Sequence, residues 1–235
     1  MSRLPRRDAI FFVCAFLAAL LAFLPTRLLV ESTGFPERGL AAREATGSIW
    51  SGTLQEAQWG PARLGDLHVR LSVPPLVFGR ARLVFATEAK GSGASVFTSP
   101  WNFGFANVDV TVPTGNLLAP LPLTAFQFER ASAIFDDERC VEAGGFVRAH
   151  ASGALAGVQL PTSFSGTPRC ENGLLLVPFA SESGREAIDF RIDASGRYAA
   201  ELVVRPSDPA AADRLQAAGF RRSSRGYAAT MRGRF

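Results

Sequence analysis

Lysine is all but missing from this chain: Lys90 stands alone, and arginine carries nearly every other positive charge. With the abundant alanine and glycine, this looks like a GC-rich bacterial coding bias. Histidine is equally scarce, limited to His68 and His150, and the three cysteines Cys14, Cys140 and Cys170 lie far apart. So sparse a set does not make the clustered Cys/His spacing of a structural metal site. Beyond the N-terminus no run of basic residues forms a stripe, and a net charge of +4 is mild, so nucleic acid is not an expected partner.

Catalytic signatures are missing too. No Gly-x-Ser-x-Gly elbow occurs, and Lys90 precedes rather than follows the Gly91-Ser92-Gly93 loop, so no phosphate-binding lysine motif exists. Asp136-Asp137-Glu138 beside Arg139 reads as a solvated turn, because no further oxygen ligands follow at fixed spacing. His68 falls on the polar face of an alternating segment, and His150 lies in a similar one. The chain is therefore read as non-enzymatic, with no catalytic residues, metal, cofactor or small-molecule substrate expected.

One long hydrophobic run is present. Arg3, Arg6 and Arg7 precede residues 9–24, which carry no charge. Sixteen helical residues cover roughly 24 Å, short of a ~30 Å hydrocarbon core, and continuation to residue 30 supplies the remainder. The arginines place residues 1–8 in the cytoplasm, 9–30 in the inner membrane as a single anchor, and 31–235 in the periplasm. A cleaved signal peptide shares this layout, but Leu20 and Ala22 make a poor small-residue cleavage site. Arg6-Arg7 lacks the continuation of a twin-arginine signal. A helix in a cytosolic core is the third reading.

In an oxidising periplasm Cys140 and Cys170 can form a disulfide. Two buried thiols, or a zinc site that adds His150, are the alternatives at this point.

The remainder reads as strands and turns, since Gly and Pro recur too often for long helices. A first hairpin is expected around 47–59. Leu67, Val69, Leu71 and Val73 alternate with His68, Arg70 and Ser72, which gives one apolar face. Leu83 and Phe85, then Val108, Val110 and Val112, continue the theme. Ile188, Phe190 and Ile192 form the cleanest half-buried strand, and 174–179 suits a strand buried on both faces. Residues 115–118 read as a connector or a single turn. Asp208 as N-cap, Pro209 in the first turn and Gly219 at the far end delimit one short helix over 209–218. The fold class is all-β: about ten short strands in an antiparallel sandwich or rolled sheet, with a soft boundary near 113–122. Trp50, Trp59 and Trp101 are candidate interface residues, with core packing as the alternative.

The basic start, the anchor and the segment Gly47-Ser48-Ile49-Trp50-Ser51-Gly52 together resemble the type II secretion system protein N family. So do Leu64-Gly65-Asp66-Leu67, Cys140 with Gly144-Gly145, Cys170 with Gly173, Arg205-Pro206, Asp208-Pro209 and Ala218-Gly219-Phe220. The resemblance implies a non-catalytic inner-membrane subunit that contacts other secretion components and supports export of folded proteins across the outer membrane. It also implies paired cysteines at 140 and 170. A second reading is an anchored lipid-binding or lipid-transfer protein, with an apolar groove inside a rolled sheet.

Overall fold

The computed structural model describes residues 40–234 except 60–61, 77–78, 88–92, 100, 115–117, 119–120 and 156, together with isolated positions between 11 and 25. The expected anchor at 9–30 lies largely outside the described residues, as do Arg3, Arg6 and Arg7. Among the described residues no helix is long and apolar enough to cross a membrane.

The chain folds as one antiparallel meander. Its first strands are β1 (Leu40–Ala41), β2 (Glu44–Ser48), β3 (Ser51–Trp59) and β4 (Ala62–Ser72). A short helix α1 (Val73–Leu76) precedes β5 (Ala81–Thr87), β6 (Gly93–Thr98), β7 (Asn102–Pro113), β8 (Leu123–Asp136) and β9 (Arg139–Ala151). Next come β10 (Ala154–Leu155), β11 (Val158–Gln159), β12 (Ser163–Gly166), β13 (Arg169–Glu171), β14 (Leu174–Ala180), β15 (Glu186–Ile192) and β16 (Arg197–Val204). Helix α2 (Pro209–Ala217), β17 (Arg221–Ser223) and β18 (Gly226–Arg234) end the chain. All strands but the β10–β11 pair join a single sheet, whose order follows the sequence from β3 to β9 and then runs β12, β14, β15, β16, β18 and β17.

Of the two architectures expected, this is the rolled sheet rather than a sandwich of two. It runs unbroken across the 113–122 region, because β7 and β8 pair on its near side up to Pro113 and Ala125. The strands are also more numerous and longer than expected, β8 reaching 14 residues and β9 13.

Bulges explain the greater length. In β8, Phe126 and Phe128 pack against the core, yet after Arg130 the buried residues are Ala131, Ala133 and Phe135. The inward-facing set has switched from even to odd numbers. The same switch occurs in β3, from Leu54 to Ala57 across Glu56, and the reverse one, odd to even, in β7, from Phe105 to Val108 across Asn107. Each pivot residue has a positive φ (48° at Glu56, 51° at Asn107, 48° at Arg130). One extra residue shifts the period-2 pattern, so a long bent strand reads as two short ones. Neighbouring aspartates stabilise two of these bulges: Asp66 Oδ1 accepts from the Glu56 amide at 2.8 Å, and Asp109 Oδ1 from the Arg130 amide at 2.9 Å. Opposite Arg130, Gly145 has a φ of 88°, and a Cβ there would run into the Arg130 carbonyl and the Ala131 backbone.

Bulges increase twist and bend the sheet. Strands β8 and β15 are four steps apart, about 19 Å on a flat sheet. Yet the Phe126 ring lies 5.7 Å from Phe179 on β14 and 6.3 Å from Phe190 on β15. The inner face of this half is curled around an apolar core that includes Phe164, Val177, Ile188 and Leu202. In the N-terminal half β4 comes within 8 Å of β7 between Cα atoms, although β5 and β6 intervene. A second, smaller core of Ile49, Leu54, Ala57, Leu67, Val69, Leu71 and Leu83 fills that turn of the roll.

Helix α2 behaves as its caps dictate. Asp208 Oδ1 accepts from the Ala211 amide at 2.6 Å. At the far end the Phe220 amide donates to the Leu215 carbonyl and the Gly219 amide to that of Gln216, with Gly219 left-handed at a φ of 90°. This Schellman closure brings Leu215 and Phe220 together, and both are buried in the larger core beside Leu118 and Leu121. Side chains from the helix and the β7–β8 connector thus occupy the concave face.

Candidate interaction surface

The two downstream cysteines are joined. Cys140, at the start of β9, and Cys170, in β13, form a disulfide with a Cα–Cα distance of 5.4 Å. Its place follows from the strand lengths. Strand β12 pairs with β9 only along residues 147–150, and after Thr167-Pro168 the chain resumes as β13, which pairs with β14 but not with β9. The disulfide, with the Cys140 amide donating to the Gly173 carbonyl at 2.8 Å, closes that gap in the ladder.

The tryptophans are not brought together. Trp50 lies in the β2–β3 turn, half-buried against the smaller core. Trp59 ends β3, opposite Leu40 and Ala62 and at the other end of the strand. Trp101 precedes β7 and is 70% exposed, and its carbonyl accepts from the Asp137 amide at 3.2 Å. Trp50 thus packs against the smaller core, and Trp101 is exposed.

Val73 corrects a sequence expectation. Pro74-Pro75 cannot donate to a ladder, so β4 ends at Ser72, and Val73 opens α1 with 54% of its surface exposed instead of continuing the buried row. Phe103 and Val141, which no sequence pattern singled out, are also exposed (37% and 57%). Their one signal is proximity to chain reversals, where the Ser99 amide donates to the Asn102 carbonyl and at Asp137-Glu138.

The polar candidates stay separate. His68 is exposed on β4, with Nδ1 3.2 Å from Thr53 Oγ1. His150 is half-buried on β9. Asp137 and Glu138, with φ of 44° and 63°, form the two-residue turn joining β8 to β9, the geometry of tight hairpins. Among the described residues no group of three His, Cys, Asp or Glu could hold a metal ion.

On the outer face of the C-terminal half, Asp189 and Glu201 stand directly opposite each other on β15 and β16. Like charges so placed repel. Arg225, from the β17–β18 turn, donates to Asp189 Oδ2 at 2.8 Å and to Glu201 Oε2 at 2.6 Å, and this raises its own pKa. In the β15–β16 turn, the Ser195 hydroxyl donates to Asp193 at 2.7 Å and Arg197 Nε at 2.7 Å. These donors hold the Asp193 carboxyl down at about 2.

The C-terminal margin of the sheet is open. Strand β17 covers β18 only along Gly226–Ala228, so from Ala229 to Arg234 the last strand is paired with β16 alone. Arg221, Arg222, Arg232 and Arg234 are exposed there and form no ion pair among the described residues. At the opposite margin the outermost strands are the two-residue β1 and the five-residue β2.

A rolled meander with a disulfide seam, a capping helix and an open basic edge defines a predominantly antiparallel β protein. A family model described as type II secretion system (T2SS), protein N, matches residues 38–230. The chain belongs to that family, and is in this sense a component of type II secretion that works alongside other secretion components. No curated protein and no solved structure matches the chain at a significant level.

Proposed function

We propose that this chain is a non-catalytic subunit held in the inner membrane by residues 9–30, with residues 1–8 in the cytoplasm and 31–235 in the periplasm. It supports export of folded proteins across the outer membrane through protein–protein contacts. The observation that carries this reading is the family match, which spans most of the β domain. The three N-terminal arginines support the orientation. The Cys140–Cys170 disulfide supports an oxidising compartment, since such bonds persist there and are rare in the cytosol. Strand addition along Ala229–Arg234 is the contact mode the open edge favours, because free backbone groups supply affinity and the flanking arginines supply selectivity for an acidic strand.

The test is site-directed crosslinking in secreting cells. Single cysteines at Thr230 and Arg232 should capture another secretion component, and Thr230→Pro should weaken that capture by blocking a new ladder. Crosslinks to no secretion component in cells that still secrete would overturn the proposal.

A further inference from the structure

The exposed apolar residues are not scattered. In a meander every second connection falls at the same end of the sheet. Tracing the pairing from Gly52 to Val69, Ser72 to Arg82, Ala81 to Thr98, Thr98 to Phe103 and Asn102 to Asp136 puts one set of turns along one rim. That rim holds Trp50, Val73, Trp101, Phe103 and the 137–138 turn, with Val141 just inside it. Among the residues whose side chains are described, every large apolar one left exposed is either one of Val73, Trp101, Phe103 and Val141 or belongs to the N-terminal run (Phe11, Phe12, Val13, Phe16, Phe23).

One backbone bridge ties the end of the run to this rim. Pro25, at the end of the apolar run, forms an isolated antiparallel bridge with Ser48, at the end of β2 beside Ile49 and Trp50. The run is therefore delivered to the apolar rim and not to the opposite one, where Trp59 lies about 27 Å away along β3. Phe103 stacks on the buried Phe135 ring at 4.9 Å and is still partly open to solvent at the mouth of the roll.

We infer that this rim is a membrane-contacting surface: Val73, Trp101, Phe103 and Val141 enter the headgroup zone of the bilayer that holds the N-terminal run. The inference rests on the anchored topology proposed above. Trp is suited to that zone because its ring is apolar and its N–H still finds polar partners. Asp136, Asp137 and Glu138 on the same rim set a depth limit, since their carboxylates must stay hydrated. The domain then stands upright on the bilayer, with α2 and the paired strand ends at Trp59 and Ala62 at its far end.

Two tryptophans make the test internally controlled. The full chain is reconstituted into phosphatidylcholine vesicles carrying bromine on the acyl chains near the headgroup. One variant (W50F with W59F) keeps Trp101, and the other (W50F with W101F) keeps Trp59. Trp101 fluorescence should be quenched several-fold more than that of Trp59. In the unsubstituted chain, a photoactivatable phosphatidylcholine should label segments around 101–103 and 141 and leave 59–63 unlabelled, which guards against a misfolded variant. Flotation with the vesicles reads the anchor separately. A chain that floats while both tryptophans are quenched alike, and without label at 101–103 or 141, leaves the anchor standing and overturns the rim. A chain that does not float overturns both.

Discussion

The two halves of the sheet are built on different margins. From β2 to β6 the N-terminal half has seven buried apolar residues in its core, against twenty-one in the C-terminal core among the described residues. The C-terminal half also has the disulfide seam, the capped helix with Leu215 and Phe220 inside the roll, and the Arg225 bridge on its outer face. Among the described residues the N-terminal half has neither a disulfide nor a capped helix, and its own side-chain ties are such pairs as Arg43–Glu56 and the Asp66 bond to the Glu56 amide. Burial scales with the apolar area removed from water, so the smaller half should open first, and cross-linking concentrates where the ladder is interrupted.

Truncating one fully buried residue in each half should separate them. Phe164→Ala, in β12 between β9 and β14, is expected to cost about 3–5 kcal/mol and to speed amide exchange throughout the C-terminal half. Leu54→Ala should cost about 2–4 kcal/mol, with faster exchange confined to β2–β6. Loss of protection across the whole sheet in Leu54→Ala would show that the halves are one cooperative unit. Removing the seam with Cys140→Ser and Cys170→Ser should lower stability by about 3–4 kcal/mol for a 30-residue separation on the chain-entropy estimate, measured by urea unfolding. The earliest exchange should then appear in β13 and the first residues of β14, where no ladder to β9 exists. The smallest effect is Asp193→Asn, at about 1 kcal/mol once solvent screening is allowed for. Because the folded pKa is lowered from 3.8 to about 2, this stabilisation is complete above about pH 4 and disappears as pH falls through about 2. Wild type and variant should therefore differ at pH 6 and converge near pH 2.

Much of the local structure was legible. Alternation at Ile188 and Phe190 describes β15 as it folds, and the unbroken run at 174–179 is the strand with Leu175, Leu176, Val177 and Phe179 all buried. Asp208-Pro209 and Gly219 bound the helix within a residue, because capping is a contest among neighbours in the chain. The Asp137-Glu138 turn and the Cys140–Cys170 pair also stand where expected. Bulges were not legible. Glu56 and Arg130 are residues with no liking for left-handed geometry and are held there by the strands on either side, so nothing local announces them; Asn107 is of a type that tolerates that geometry, but a lone Asn is too common to mark a bulge.

Composition, alternation and capping residues by themselves determined that this chain would be β-rich, where it would turn, where its one capped helix would lie and which two cysteines could meet. The turns and the helix depend on contacts a few residues long, and the cysteine pairing was an expectation that the closed disulfide bears out. The tertiary structure alone decided that the strands form one rolled sheet with two cores, that β18 is left open, and that Val73, Trp101, Phe103 and Val141 share a rim with Pro25. Register between strands sets those neighbours, and register is fixed by cross-strand packing summed over the whole sheet.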